Sequence, residues 1–332
     1  MASMQYRRLG KSGLKVSALS FGAWVTFHQQ IEDRTAIELM TTAYESGVNF
    51  FDNAEAYANG EAEQMMGRAL RKLGWPRDSY AVSSKVFWGG KLPTQRGLSK
   101  KHVRDACDAA LRRLQVEYLD LYFCHRPDLE TPIEETVRAM SDLVHQGKVL
   151  YWGTSEWEAD QIAEAHGVAR ELHLVPPTME QPQYNLFVRQ KVEREFARLY
   201  ETVGLGLTIW SPLASGILTG KYSGGVPRDS RMALPDYRWL RERLESAEGR
   251  EQVRKTLELE RVAKDLGASV AQLAIAWCLL NPHVSTVILG ATRAAQLREN
   301  LGALALVPKL DASIQARIEA IVANKPESAE RY

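Results

Sequence analysis

Cysteine is scarce: three in 332 residues, Cys107, Cys124 and Cys278, none in CxxC or Cys/His ligand spacing. That excludes a disulfide framework and a zinc finger or ribbon, and sets the expectation of a reduced, cytoplasmic protein. Charge of one sign is missing as well. Lys and Arg number 42 against 41 Asp and Glu, a formal net charge of +1, and the basic residues are spread along the chain. Neither a nucleic-acid patch nor an anionic-membrane surface is indicated. No apolar run approaches the roughly 20 residues that cross a bilayer, so direct membrane insertion is not expected. The opening "MASMQYRRLGKSG" lacks the apolar centre of a secretory signal. No GxGxxG follows a first strand, which removes support for a doubly wound dinucleotide fold.

What is present is a repeated alternation. Apolar residues make up 45% and charged residues 25%, ordinary for a globular chain with a substantial core. "YRRLG" and "LKVSALSFG" flank Lys11-Ser12-Gly13 as a hairpin. Short apolar strands then alternate with amphipathic helices. "VSALSFGAW" precedes a helix over Thr35 to Ser46, "VNFFDNA" one over Glu61 to Leu73, and "YAVSSKV" one over Ser99 to Leu114, with Ser99 as N-cap. "YLDLYFCH" leads to Pro132–His145, "VLYWGTS" to Glu158–Leu172, and the short strand in "PPTMEQPQYN" to Gln190–Thr202. "LGLTIWSPL" is followed by an irregular stretch from Ser223 to about Arg250, then helices near Glu251–Leu266 and Val270–Leu280. "VSTVILGAT" and a helix from Ala294 to about Leu301 close the series, before a last helix near Asp311–Ala323. Eight strand–helix units without a linker predict an α/β fold, a (β/α)8 TIM barrel in a single domain over residues 1–332.

In such a barrel the active site lies at the C-terminal ends of the strands. Three consecutive strands end in ionisable residues: Asp52 after "VNFF", Lys85 in "AVSSK" and His125 after "LDLYFC", with Tyr57 just past Asp52. A lone Asp there is more often a helix cap, and a lone His more often structural. A buried lysine is rarer, because an unpaired charge costs several kcal/mol, so Lys85 calls for Asp52 as its partner. A tyrosine with a pKa of about 10 needs roughly 3–4 kcal/mol to reach about 7 or 8. An ammonium about 4 Å away supplies on the order of 4 kcal/mol at an effective dielectric near 20. Lys85 is therefore expected to acidify Tyr57, and His125 to hold a substrate oxygen, which suits protonation of an alkoxide formed from a carbonyl. The hydride such a reaction needs implies a nicotinamide cofactor. No metal is called for.

"GVNFFDNAEAY", the lysine of "SSK", "LDLYFCHRPD", "YWGTS", "WSPLASGILTGKY" and "ILGATRAAQLREN" resemble the aldo-keto reductase superfamily over nearly the whole chain. Within it, "WVTFHQQI", "VFWGGK", "RGLSKKHV", "TPIEETVRAM" and "AIAWCL" are most similar to the β-subunits of voltage-gated potassium channels. The resemblance implies a catalytic tetrad of Asp52, Tyr57, Lys85 and His125, with Tyr57 as general acid. His125 departs from the channel subunits, which typically carry asparagine there; histidine is the residue of efficient carbonyl reductases.

By the same resemblance, Ser155 and Gln181 would hold a nicotinamide carboxamide and Trp210 would stack on the ring. Ser211, Pro212, Leu213 and Gly216 would line the pyrophosphate, with Lys221 and Arg231 near the phosphates. Gly290 and Thr292 open the last helix, with Arg293 beside them, and Gln296, Glu299 and Asn300 match adenine contacts. Trp24, Gln30 and Asp52 complete the cofactor set, and Trp24 and Trp88, with Phe87 beside them, form an aromatic substrate pocket. Two positions depart from the pattern: Glu156, where relatives often carry Asn or Arg, and Asp229, where channel subunits carry an aromatic. The reading implied is NADP(H)-dependent reduction of small carbonyl substrates. The rival is an NADP(H)-binding, redox-sensing subunit of a potassium channel. The chain starts shortly before its first hairpin, so a pore-blocking extension is not expected, and the resemblance implies a homotetramer.

Overall fold

The structure, a computed structural model, describes residues 3–24, 26–27, 30–227, 230–233 and 237–327, without the Arg231 side chain. Two short strands, β1 (Tyr6–Arg8) and β2 (Lys15–Ser17), pair antiparallel as the expected hairpin. β3 (Leu19–Gly22), β4 (Phe50–Asp52), β5 (Ala81–Val86), β6 (Leu119–Cys124) and β7 (Val149–Thr154) follow. β8 (Met179–Glu180), β9 (Gly206–Ile209) and β10 (Val284–Leu289) complete a closed barrel in which β10 returns to β3 and every neighbouring pair is parallel. The fold is the (β/α)8 barrel that the alternation predicts.

Around it lie α1 (Asp33–Glu45), α2 (Glu61–Leu73), α3 (Lys100–Leu114), α4 (Ile133–His145), α5 (Ala159–Glu171) and α6 (Ala197–Thr202). α7 (Arg238–Glu245), α8 (Ala247–Asp265), α9 (Val270–Leu280), α10 (Ala294–Leu301) and α11 (Ala312–Val322) follow. Among the described residues no single helix is long and apolar enough to cross a membrane. α9, apolar along most of its length, is buried within the protein. Ser99 caps α3 as expected, its hydroxyl accepting from the His102 N–H at 3.4 Å.

Three expectations change. α7 occupies the stretch expected to be irregular: Leu240 and Leu244, one turn apart, are buried under a strongly charged surface. α8 starts at Ala247 because Ser246 caps it, accepting from the Gly249 N–H at 3.1 Å. The helix expected over Gln190–Thr202 divides into a π-helical turn, Lys191–Glu195, and α6.

Strand periodicity gives the barrel two different faces. On β5, Val82, Ser84 and Val86 face the helices, where the Ser84 hydroxyl meets buried Glu63 at 2.5 Å. Ala81, Ser83 and Lys85 face inward, Ala81 joining Phe50, Leu121, Phe123 and Met179 in the barrel's own core. Leu9 and Val16 from the hairpin belong to that core, so the hairpin plugs the end where the strands begin. The strands' C-terminal ends remain for chemistry.

Candidate active site

Lys85 is wholly buried, and its ammonium meets three acceptors: Asp52 Oδ2 at 2.6 Å, the Asn53 carbonyl at 2.8 Å and the Tyr57 hydroxyl oxygen at 2.9 Å. An ammonium only donates, so the Tyr57 oxygen accepts and its own proton remains available to another partner. Asp52 Oδ1 is fixed by the Ser83 hydroxyl at 2.8 Å and the Gln181 amide at 3.1 Å. Asp52 thus orients a lysine; it does not cap a helix. Tyr57 sits at a sharp turn made by consecutive left-handed residues, Ala58 (φ 48°), Asn59 (φ 53°) and Gly60 (φ 89°). A left-handed backbone at two non-glycine positions is stored strain, and Asn53 braces the turn through the Ala62 carbonyl at 3.0 Å.

The electrostatics correct one expectation. Tyr57 is not acidified: burial, then the Asp52 carboxylate, hold its phenol well above the ordinary value, and Arg126 opposes them. The physical reason is that Lys85 and Asp52 touch, so from Tyr57 the pair is close to neutral. Burial also pulls Lys85 below its ordinary value, with Asp52 pulling it back. His125 is pushed well below its usual range, by burial first and then by Lys85 and Arg126, so its imidazole is neutral. Its Nδ1 is buried without a partner among the described residues. Its ring lies 5.8 Å from the Tyr57 ring and 5.1 Å from that of Trp88.

Tyr57, His125 and Asp52 line one cavity of about 460 Å³ at the strands' C-terminal ends, with Trp24, Trp88 and Gln30. Lys85 lies beneath its wall. Ser155, Gln181, Trp210, Ser211, Pro212, Leu213, Gly216, Lys221, Gly290, Thr292, Gln296 and Asn300 line the same cavity. Trp210 is held by its indole N–H to Glu156 Oε1 at 2.9 Å and stands edge-on to Trp24 at 5.8 Å. The Glu156 carboxylate also takes the Gln183 N–H at 2.6 Å, so this departure from the family pattern supports the Trp210 ring. Ser211 (φ 55°), Ala214 (φ 48°), Ser215 (φ 56°) and Gly216 (φ 95°) bend the chain after β9 around the opening. Gln296 accepts from the Thr292 N–H at 3.1 Å, at the start of α10.

The residues present fit a nicotinamide dinucleotide. Asn300 is buried and lines the cavity, yet its Nδ2 is a donor without a partner among the described residues, as an adenine contact requires. Glu299 and Arg293 are exposed and do not line the cavity, and Phe87 packs into the core beside Trp88. Asp229 and the Arg231 side chain lie outside the described residues. Sequence reasoning passed over Arg126, Thr219 and Tyr237, which also line the cavity. Arg126 was the most legible of these, since it directly follows His125.

A closed parallel barrel whose strand ends hold Asp52, Lys85 and Tyr57 in one hydrogen-bonded chain beside His125, at the wall of a cavity, is the architecture of a barrel oxidoreductase. The chain belongs to the aldo/keto reductase family, whose family model matches residues 18–323. Its relatives include two proteins described as "Probable voltage-gated potassium channel subunit beta". The one from Oryza sativa subsp. japonica is 54% identical over 330 residues, covering 99% of this chain and 100% of the relative. The one from Arabidopsis thaliana is 53% identical over 330 residues, with the same coverage.

Proposed function

We propose that this protein is an NADP(H)-dependent reductase that converts aldehydes, and some ketones, to alcohols. The observation that carries the reading is Lys85 donating to the oxygen of Tyr57, which leaves the phenolic proton for a substrate beside neutral His125. A nicotinamide held in this cavity would supply the hydride that the carbonyl carbon needs. Tyr57 gives its proton to the carbonyl oxygen, and Lys85 steadies the phenolate left behind. Neutral His125 donates a hydrogen bond to the same oxygen and fixes its position. Asp52 keeps Lys85 charged and aimed. Trp24 and Trp88 would flank the substrate, while Ser155, Gln181, Trp210, Lys221 and Asn300, with the 211–216 loop, would hold the cofactor. The family, together with Lys221 in the cavity, supports NADP(H) over NAD(H).

The names of the two relatives support a second reading, an NADP(H)-sensing subunit on a potassium channel. His125, neutral and next to Tyr57, favours turnover. Both readings place a single barrel domain in the cytoplasm, as a homotetramer. The test is NADPH consumption with a panel of aldehydes, beside Tyr57→Phe and His125→Asn. Tyr57→Phe is expected to lower kcat by about 10²–10⁴-fold while NADPH still quenches the tryptophan fluorescence. If the wild type binds NADPH but oxidises it no faster than either variant, the reductase reading falls and a protein partner takes its place.

A further inference from the structure

Arg126 has no part in the chemistry above, yet it lines the cavity with Tyr57, Trp88 and His125. Its guanidinium carbon stands 5.3 Å from the centre of the Trp88 ring, the same indole that meets the His125 ring at 5.1 Å. One nitrogen, Nη1, donates to the His125 carbonyl at 2.5 Å and, at 3.4 Å, to the Ser155 hydroxyl. Nε and Nη2, which form one edge of the guanidinium fork, donate to no described residue. Three other arginines set into the protein hold carboxylates, Arg77 with Asp120 at 2.5 Å, Arg113 with Glu63 at 2.6 Å and Arg189 with Glu193 and Glu319, while Arg7 donates to the Leu279 and Val284 carbonyls. Among the described residues no carboxylate pairs with Arg126.

A partly buried cation with no carboxylate partner among the described residues carries part of the desolvation cost of a buried charge. Arg126 adds to the positive field that keeps His125 neutral and Lys85 below its ordinary value. An anion lodged against its open edge would relieve that cost, and a fork of two parallel N–H groups is matched by a carboxylate. The neighbours of Arg126 point to the substrate and not to a cofactor phosphate. It stands on Trp88 and on the backbone of His125, whereas Lys221, Thr292 and the 211–216 loop line the cavity from other elements. We infer that Arg126 is the specificity-determining residue of this site, and that it selects aldehyde substrates that also carry a carboxylate, the class of oxo acids to which semialdehydes and formylbenzoates belong. The inference rests on the reductase reading. It adds to that reading which carbonyls are preferred.

The experiment compares 4-formylbenzoate with its methyl ester as substrates for wild type, Arg126→Gln and Arg126→Lys. It also measures binding of 4-(hydroxymethyl)benzoate by tryptophan fluorescence, without turnover. Wild type is expected to favour the acid by about 10–100-fold in kcat/KM, through KM. Arg126→Gln collapses that ratio and weakens 4-(hydroxymethyl)benzoate to the same degree, and Arg126→Lys restores part of both. Equal kcat/KM for acid and ester in the wild type overturns the inference while leaving the reductase standing. So does an Arg126→Gln variant whose loss is in NADPH affinity, which would assign Arg126 to a cofactor phosphate. If neither aldehyde is reduced but the wild type binds the carboxylate tightly and Arg126→Gln does not, the anion site stands and the reductase reading fails.

Discussion

All three N–H donors of Lys85 are committed, to Asp52, Asn53 and Tyr57, and each commitment is a constraint on the chemistry. Removing the ammonium by Lys85→Met strands a buried carboxylate at Asp52, so it is expected to cost about 3–5 kcal/mol of stability as well as activity. The pH profile distinguishes two accounts of Tyr57. Reduction needs protonated Tyr57 and neutral His125, whose ordinary values are 10.0 and 6.5, and the site moves them apart, upward and downward. kcat/KM for reduction, measured by stopped-flow NADPH oxidation, is therefore expected to be flat from pH 6.5 upward, with any alkaline limb set by Lys85, which burial holds below its ordinary 10.5, and not by the phenol. A limb near pH 7–8 would instead mark the acidified phenol that the charge of Lys85 alone suggests. A second buried acid, Glu180, is pushed up by burial to about 8 and bonds the Thr154 hydroxyl. Its folded value lies above its unfolded one, so its contribution to stability is full at pH 4.5 and below and is lost as pH rises through about 8. Glu180→Gln is expected to flatten that decline in denaturant titrations, leaving the variant more stable than wild type at pH 8.

The loop between β5 and α3 brings Trp88 to His125, and it is tied back at several points. Glu55 accepts the Phe87 N–H at 2.7 Å and lies 3.5 Å from His102 Nε2, while His102 Nδ1 reaches the Gly97 carbonyl at 2.8 Å. Gly97 (φ +76°) has no room for a Cβ, which would lie 2.4 Å from Asp128 Oδ2. Burial alone would push His102 down, but the hydrogen bond and charge of Glu55 more than offset it and leave it above its ordinary value of 6.5. The pair's stabilisation is accordingly complete below about pH 6.5 and fades as pH rises through the folded value. Glu55→Ala orphans the Phe87 N–H and is expected to cost about 1–3 kcal/mol, with aldehyde KM rising more than the Kd for NADPH. Equal changes in both would place the clasp outside substrate binding.

At this scale the sequence was legible where a period met a full element. Lys85 could be read as paired with Asp52 because a lysine in a buried strand needs a carboxylate beside it, and Ser99 could be read as a cap. α7 was not legible, because Leu240 and Leu244 are too few in a charged stretch to show a period. Neither was the π turn before α6, since it preserves helical composition. Arg126 was legible only as the neighbour of His125: an arginine there looks like surface charge until the cavity, and the lack of a carboxylate partner among the described residues, are known.

Across the whole molecule, stability and chemistry sit at opposite ends of the barrel. The hairpin seals the strands' starting ends with Leu9, fully buried against the inner core, while the cavity opens at the other end. Leu9→Ala is expected to cost about 2–5 kcal/mol in denaturant unfolding while leaving kcat of the folded protein unchanged. A fall in kcat with intact stability would contradict that division. The central claim concerns the reaction itself, and its most direct measurement is the fate of the hydride. Wild type is incubated with an aldehyde and NADPH deuterated at the nicotinamide C4 position, each face in turn, and the alcohol is analysed by mass spectrometry. One deuterium at the carbinol carbon from one face only, absent with Tyr57→Phe, is the predicted result. Alcohol without deuterium from either face, or no alcohol while NADPH remains bound, would contradict it.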